Sequence, residues 1–236
     1  MPPISCASVK IKSDESGEAD LETSGDDRPT SLMTIGVLAL QGDFDAHRRR
    51  LEELGAKVVL VKKPDQLAHI DGLIIPGGES GTFLKLLGEE GFETLKQFVR
   101  LKPTFGTCAG AILLATEVEN PRQAGLGAID IAIRRNAYGR QLDSSIREGH
   151  FLQPVNNHPA GSPLEMVFIR APKIERVGPG VEVIATEGKN NSPVAVRQGT
   201  AMAATFHPEL SDDTRLHQAF LDLIKKSGSD TPVRRS

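Results

Sequence analysis

Short apolar runs alternate with helical patterns through the first half of the chain. The runs at residues 35–40, 58–61, 73–75 and 103–106 predict strands. The segments between them predict helices that end near Leu54 and Leu101, and a further helix is predicted over residues 109–116. Strands that alternate with helices indicate an α/β domain, in which a mostly parallel sheet is flanked by helices in three layers.

The second half of the chain is richer in strand patterns. Strands are predicted at residues 129–134, 165–169, 181–185, 194–197 and 201–205, followed by a closing helix at about 212–226. Residues 156–163 are polar and contain Pro and Gly, which is typical of a loop.

The beginning of the chain differs from this body in composition. Residues 1–32 are rich in Ser, Asp, Glu, Gly and Pro and hold seven acids and three bases, a net charge of −4, so residues 33–236 carry +1 of the total of −3. Such a segment cannot bury enough apolar surface to offset the entropy lost on ordering. We therefore expect a disordered acidic extension at 1–32, a folded domain at 33–226 and a flexible tail at 227–236.

Composition favours a soluble enzyme over a nucleic-acid-binding, membrane-spanning or secreted protein. Hydrophobic residues make up 39% and charged residues 25% of the chain, as in ordinary soluble enzymes. A body near neutrality gives no reason to expect nucleic acid, and no apolar run approaches the ~18 residues of a membrane span. The N-terminus lacks a secretory signal pattern, and two cysteines in so long a chain fit a reducing compartment. A cytoplasmic location is expected.

The turn Gly106-Thr107-Cys108-Ala109-Gly110 lies between an apolar strand and an apolar helix. A nucleophile on such a turn is exposed, the flanking glycines let neighbouring chain pass closely, and the start of the helix points amides at developing negative charge. Cys108 is therefore a candidate nucleophile. The alternative is a buried cysteine in a packed turn, because free cysteine is often buried.

A candidate base and its orienting carboxylate follow the strand at 201–205. Pro208 favours extended backbone at His207, and residues i and i+2 of an extended chain share one face. Glu209 is then expected to reach one imidazole nitrogen while the other faces a thiol. The alternative is a surface histidine beside a solvated acid. His47 and His217 are interpreted as members of charged helical stretches, and no histidine pair has the spacing of a zinc site, so no metal is expected.

The segment Pro76-Gly77-Gly78-Glu79-Ser80-Gly81 follows a predicted strand. It lacks the lysine of a phosphate-binding loop, and the carboxylate of Glu79 would repel a phosphate. Glycines at the end of a strand suit backbone amides aimed at an oxyanion, and Glu79 suits a substrate ammonium group. A plain turn is the alternative.

Together these features resemble the class I glutamine amidotransferases, and more closely the glutaminase subunits of the two-protein pyridoxal 5′-phosphate synthases. The segments that carry the resemblance are Gly-Val-Leu-Ala-Leu-Gln-Gly at 36–42, Pro-Gly-Gly-Glu-Ser at 76–80, Phe-Gly-Thr-Cys-Ala-Gly at 105–110, Arg-Asn at 135–136 with Gly-Arg-Gln at 139–141, Phe-Ile-Arg-Ala-Pro at 168–172 and Phe-His-Pro-Glu at 206–209. The resemblance implies a flavodoxin-like fold and a triad of Cys108, His207 and Glu209. It also implies hydrolysis of glutamine to glutamate and ammonia through a glutamyl thioester.

The resemblance also implies a glutamine site, a partner and no cofactor on this chain. The residues that would hold glutamine are Gly78, Glu79, Ser80, Arg135, Ile169 and Arg170, with an oxyanion hole at Gly78 and Ala109. The partner would be the synthase subunit, which takes the ammonia through an internal channel within a large hetero-oligomer. The alternatives are a glutaminase subunit of another synthase, such as that of the histidine pathway, and a non-catalytic scaffold of the same fold. At Gly81 the chain departs from the family, which usually has Ser or Thr there.

The composition of the first 32 residues gives a first testable prediction. Because a disordered segment makes few contacts with the body, a chain that begins at Met33 should keep the melting temperature and the glutamine kinetics of the full chain. Thermal unfolding followed by circular dichroism checks this. A melting temperature lower by several degrees would mean that the segment packs on the folded domain.

Overall fold

The structure is a computed structural model that describes residues 33–135 and 144–229. The strands are β1 (Thr34–Leu38), β2 (Lys57–Val61), β3 (Gly72–Ile75), β4 (Thr104–Thr107), β5 (Ala115–Glu119), β6 (Ile129–Arg134), β7 (Ser144–Phe151), β8 (Pro163–Ile169), β9 (Lys173–Val177), β10 (Glu182–Glu187), β11 (Ser192–Gln198) and β12 (Ala201–Ala204). The helices are α1 (Phe44–Glu53), α2 (Ser80–Leu101), α3 (Ala109–Leu114) and α4 (Arg215–Ser229), with 3₁₀ turns at Pro64–His69 and Pro208–Leu210. None of the helices described is long and apolar enough to cross a membrane.

The described strands form one large mixed sheet and one small sheet. The large sheet has nine strands in the order β2-β1-β3-β4-β12-β11-β10-β7-β8. The first five run parallel, and the remaining four continue the sheet in antiparallel pairs. The small sheet, β5-β6-β9, shares no strand pairing with the large sheet but packs against β11. The motifs around Gly78, Cys108 and His207 follow strands of the parallel half, whereas Arg135 follows β6 and Arg170 follows β8.

Buried side chains on the central strands alternate between two cores, one on each face of the sheet. In β3, Leu73 and Ile75 belong to the core that contains α2, α3 and the small sheet, whereas Ile74 belongs to the core that contains α1 and α4. This alternation follows from the two-residue period of a strand. The predicted three-layer arrangement, with a mostly parallel sheet flanked by helices, is confirmed.

Helix α1 is held to the sheet by one face only. Phe44, His47, Leu51 and Leu54 recur at intervals of three or four residues, the spacing of a single helix face, and they pack toward the core. The opposite face carries charged side chains such as Arg48, which pairs with acids one turn away. Helix α4 repeats the pattern with a buried face that includes His217 and Phe220.

Several predicted boundaries were wrong. The helix predicted over 109–116 ends at Leu114, because the chain enters β5 and pairs with β6. The closing helix begins at Arg215 and continues to Ser229, so the predicted flexible tail at 227–236 starts inside it. Residues 230–236 and the extension at 1–32 lie outside the described residues.

Strands β5, β7 and β9 were not predicted. Their sequences are polar at most positions, and β7 is largely exposed or half-buried along its first half. These strands exist because a neighbouring strand supplies their hydrogen bonds, as β8 and β10 do for β7. An apolar pattern therefore does not mark them in the sequence.

Helix α3 lies unusually close to the backbone of the sheet. A Cβ atom added to Gly110 would lie 2.0 Å from the carbonyl oxygen of Ile75, and one added to Gly106 would lie 2.5 Å from the backbone of Gly110. Both distances are shorter than van der Waals contact, and the obstructing atoms are backbone. The two glycines of the Gly-x-Cys-x-Gly turn are therefore required by packing.

This close approach predicts opposite effects for two glycine substitutions. Gly110→Ala should lower the free energy of unfolding by about 2–3 kcal/mol, because the backbone of β3 must move. Gly91→Ala in α2 should raise it by about 0.5–1 kcal/mol, since its Cβ would meet only side-chain atoms at 3.5 Å or more and alanine favours the helix. Urea denaturation measures both, and equal effects would contradict the packing argument.

Candidate active site

Four neighbouring parallel strands deliver the candidate residues to one edge of the large sheet. The carboxyl ends of β1, β3, β4 and β12 lie side by side in the sheet order. The segments that leave these ends carry Gln41, Gly78, Cys108 and His207, respectively. Ligand sites of open parallel sheets form at this edge, beyond the carboxyl ends of the strands.

Cys108 occupies the sharp turn between β4 and α3. Its backbone has φ 48° and ψ −103°, a region that residues other than glycine rarely adopt. The conformation is held by the N–H of Cys108, which donates to the carbonyl of Ala204 at 2.8 Å. Such strain is common at functional sites. The side chain is only 6% exposed, less than the sequence suggested, but it lines a cavity.

His207 and Glu209 form a buried pair beside this turn. Nδ1 of His207 lies 2.7 Å from Oε1 of Glu209, and the two residues are 4% and 3% exposed. The extended backbone expected after His207 is replaced by the 3₁₀ turn Pro208–Leu210, which brings the carboxylate back under the ring. A Cβ on Gly77 would lie 2.4 Å from Cε1 of His207, so the ring occupies space that only glycine leaves free.

The charges of this pair are set by their mutual contacts. Burial opposes a charge on His207, but hydrogen bonding to Cys108 and Glu209 outweighs it and raises the pKa of His207 well above its ordinary value. Burial would also raise the pKa of Glu209, but His47 and His207 together hold that pKa below the usual range. At neutral pH, His207 is therefore protonated between the sulfur of Cys108 and a carboxylate.

The cavity in front of Cys108 has a volume of about 200 Å³. Of the residues predicted for the site, those that line it are Gly78, Glu79, Ser80, Cys108, Arg135, Ile169, Arg170 and His207. Glu209 lies behind His207, and Ala109 is buried at the start of α3. Arg170 also has a left-handed backbone, with φ 47°. The segments Asn136 and 139–141 lie outside the described residues.

The carboxylate of Glu79 is fixed at the rim of the cavity. It caps α2 by accepting from the N–H groups of Gly81 at 2.9 Å and Thr82 at 2.6 Å, and it binds Nη2 of Arg135 at 2.9 Å. Hydrogen bonding to the Thr82 hydroxyl is the largest of the effects that lower the pKa of Glu79, so it is charged at neutral pH. The Ser80 hydroxyl, in contrast, is buried and donates to Gln123 at 2.9 Å.

The loop after β3 is fastened to the turn after β1. Nε2 of Gln41 donates to the carbonyl of Glu79 at 2.5 Å, and Oε1 of Gln41 accepts from the N–H of Glu79 at 3.4 Å. Gly78 has φ 136°, and a Cβ on Gly42 would lie 1.8 Å from the carbonyl oxygen of Gly77. The peptide groups before Glu79 thus depend on glycine and on one side-chain amide.

Sequence reasoning missed two buried histidines behind the pair. His47 and His217 were placed in charged helical stretches, but both are completely buried. Nε2 of His47 lies 3.3 Å from Oε2 of Glu209. The signal was present, because His47 and His217 stand at apolar positions in the three- and four-residue repeats of α1 and α4.

Asp43 also approaches the site. One ligand atom from each of Asp43, His207 and Glu209 lies within 4.8 Å of the others, a distance at which a cation could be shared. His207 and Glu209 already bind each other there. The group is thus part of the site around the histidine–carboxylate pair and shows no separate metal centre within the described residues.

Comparison with known proteins identifies the family of this chain. A model of the SNO glutamine amidotransferase family matches residues 37–226. The pyridoxal 5′-phosphate synthase subunit PdxT of Koribacter versatilis is 61% identical over 197 residues, which cover 84% of this chain and 98% of that protein. PdxT of Solibacter usitatus is 52% identical over 194 residues, covering 82% of this chain and 100% of that protein.

Solved structures show the same fold. A crystal structure of a glutamine amidotransferase superposes with a TM-score of 0.71 and 43% identity, over 80% of this chain and 98% of that one. A structure of PurLQS from Thermotoga maritima gives a TM-score of 0.65 over 82% of this chain and 99% of that one, and at 17% identity it supports the fold alone. Because the family model spans almost the whole folded domain, the chain belongs to the SNO glutamine amidotransferase family.

Proposed function

We propose that this chain is the glutaminase subunit of a pyridoxal 5′-phosphate synthase, which hydrolyses L-glutamine to L-glutamate and ammonia for a synthase subunit. One observation carries the proposal. Cys108 stands on a strained strand-to-helix turn at a cavity, next to a buried histidine that is bound to a buried carboxylate. A nucleophile next to a base, which is itself held by an orienting group, is the arrangement that catalyses acyl transfer.

In the proposed reaction, the thiolate of Cys108 attacks the side-chain amide carbon of glutamine. The tetrahedral oxyanion is bound by backbone amides near Gly78 and Ala109. His207 donates its proton to the departing ammonia, and Glu209 holds the ring in the required orientation. A glutamyl thioester remains on the sulfur. His207 then accepts a proton from water, which attacks the thioester and releases glutamate.

The charges around the cavity fit the two ends of the substrate. Glu79 and Arg135 bind each other in this structure. In the proposal, glutamine takes the place of this contact, with its ammonium group on Glu79 and its carboxylate on Arg135 and Arg170. Ile169 supplies apolar surface beside them. Ser80 acts differently from a direct ligand, because its hydroxyl is committed to Gln123 and so fixes the beginning of α2.

The partner in this proposal is the synthase subunit, within a large hetero-oligomer. The support comes from the relatives, which are named as subunits of pyridoxal 5′-phosphate synthase. These names do not favour a synthase of the histidine pathway. A scaffold without activity is also disfavoured, since docking alone would not require a strained Cys108 beside a buried His207 and Glu209.

The proposed roles predict a specific loss of activity. Cys108→Ala should lower kcat for glutamine hydrolysis by several orders of magnitude, because no other described residue that lines the cavity carries a thiol to form the thioester. Glutamate release in the presence of the synthase subunit measures it. Cys6→Ala serves as the matched control and should keep the activity of the parent. Equal loss in both variants would falsify the assignment.

The loop at Gly77-Gly78 predicts that activity depends on the partner. Glycine permits more than one peptide orientation there, and Gly81 adds no side chain that could restrain the loop. Docking of the synthase subunit is proposed to complete the oxyanion hole. Equimolar synthase subunit should therefore raise kcat more than it lowers KM, as expected for an interaction that forms only in the transition state.

Glutamate release with and without the partner tests this dependence. Gly81→Ser offers a matched comparison, because its Cβ would touch the Glu79 carboxylate at 3.1 Å and so restrict the loop. This variant should depend less on the partner. Full activity of the unmodified chain alone, with no response to the synthase subunit, would reject the gating proposal and leave the glutaminase proposal standing.

A further inference from the structure

The two oxygens of the Glu209 carboxylate have different surroundings. Oε1 binds His207, whereas Oε2 is buried and makes no hydrogen bond of good geometry among the described residues. Nε2 of His47 lies 3.3 Å from Oε2. A buried carboxylate oxygen that faces no donor is strongly destabilising. Whether His47 presents an N–H or a lone pair to Oε2 therefore decides how firmly the Glu209 carboxylate is held.

His47 is one end of a buried pair of imidazoles. Its Nδ1 lies 3.0 Å from Nε2 of His217, and its Nε2 lies 3.0 Å from Oγ1 of Thr107 as well as near Glu209. Nδ1 of His217 is buried and has no partner among the described residues. Both rings are completely buried. They belong to α1 and α4, which pack side by side on the face of the sheet below the active site.

Both rings are neutral at neutral pH. Burial lowers the pKa of His47, although Glu209 opposes this, and His207 and Asp43 act on it with opposite signs. Burial and the neighbouring His47 lower the pKa of His217 to about 3, with Arg50 acting in the same direction and Glu209 against it. Each ring then carries one N–H. Because one ring must donate and the other accept in the hydrogen bond between them, the tautomer of one ring determines the tautomer of the other.

Of the two linked arrangements, one leaves a buried N–H without an acceptor and the other does not. If His47 carried its hydrogen on Nδ1, it would donate to His217, whose own N–H would then be buried at Nδ1 without an acceptor. The lone pair of Nε2 on His47 would also face the carboxylate of Glu209. If His217 instead donates from Nε2 to Nδ1 of His47, the Nε2–H of His47 faces Oε2 of Glu209 and Oγ1 of Thr107. A lone pair at Nδ1 of His217 is then left unpaired, which costs less than a buried N–H.

We propose that His47 is a positioning residue whose Nε2–H is shared between Oγ1 of Thr107 and Oε2 of Glu209, and that His217 fixes the tautomer of His47 needed for this. The proposal rests on the proposed glutaminase function and deepens it. With one donor on each oxygen, the carboxylate cannot rotate away from His207. The ring of His207 is thereby held with its second nitrogen toward Cys108. Neither His47 nor His217 touches the cavity.

The tautomers can be observed without any activity. Nitrogen-15 NMR of the chain labelled in histidine distinguishes protonated from unprotonated ring nitrogens, and the His47→Gln and His217→Gln variants assign the signals. We expect both rings to be neutral at pH 7 with the hydrogen on Nε2. A hydrogen on Nδ1 of His47, or a charged His47, would overturn the proposal even if the chain is fully active.

Two substitutions at His47 separate positioning from packing. The amide of Gln can occupy the place of Nε2 and still donate to Glu209, whereas the shorter amide of Asn can replace only Nδ1 and reaches only toward His217. His47→Asn should lower kcat for glutamine hydrolysis about 10- to 100-fold with little change in KM, and His47→Gln should retain activity within about threefold. The exposed His69→Asn is the control for the same chemical change at the surface.

The pH profile supplies a readout that a purely structural role would leave unchanged. A neutral His47 can stabilise the charged carboxylate of Glu209 only through a donated N–H. His47→Asn, which loses this donor, should therefore move the acidic limb of kcat/KM to higher pH, whereas His47→Gln, which keeps a donor, should not. The assay uses the complex with the synthase subunit. Equal kcat and equal pH profiles in the two variants would reject the positioning role. If the unmodified complex released no glutamate, the glutaminase proposal would fail, and the NMR result would still decide the tautomer of His47.

Discussion

The candidate active site depends on one buried negative charge. The side chain of Glu209 is completely shielded from water, and an isolated carboxylate in such a place would not remain ionised. It is compensated by imidazoles from different parts of the chain: His207 after β12 and His47 on α1. The charge therefore links the sheet to the helical layer beneath it. Helix α1 does more than cover the core, since one of its core positions faces the carboxylate.

A second constraint comes from backbone packing around Cys108. The turn can be this sharp because α3 approaches the carbonyl of Ile75 more closely than any side chain would allow. Gly77 makes the corresponding space for the ring of His207. Gly106 at the end of β4, Gly110 in α3 and Gly77 in the loop after β3 thus fix how close the sulfur and the imidazole can come. Backbone packing therefore limits where these side chains can lie, and the polar contacts fix their orientation within those limits.

Much of the fold could be predicted because its signals are local. The parallel strands are short apolar runs, and the turn around Cys108 carries its glycines at fixed spacing. The polar strands β5, β7 and β9 could not be predicted in this way, because their hydrogen bonds come from residues distant in sequence. The same limit applies to Glu209, whose 3₁₀ turn was expected to be extended chain.

The two buried histidines show a different limit. Their spacing with Leu51 and Phe220 indicates a core position, and this could have been read from the sequence. That His47 lies next to Glu209, and His217 next to His47, could not, because α1 and α4 are separated by most of the chain. A histidine at an apolar position of an amphipathic helix is best interpreted as buried and bound to a polar partner. Only the tertiary structure identifies that partner.

The site is built from a fixed half and an adjustable half. Cys108, His207 and Glu209 are held by buried contacts from β4, β12 and α1, so their relative positions can change little. The other half is the loop before Glu79, where glycines occupy consecutive positions and the side chain of Gln41 provides the hydrogen bonds to Glu79. A protein that docks at this edge of the sheet could alter the loop without disturbing the triad. Under the proposed function, control of ammonia release would act through backbone orientation while Cys108 stays in place.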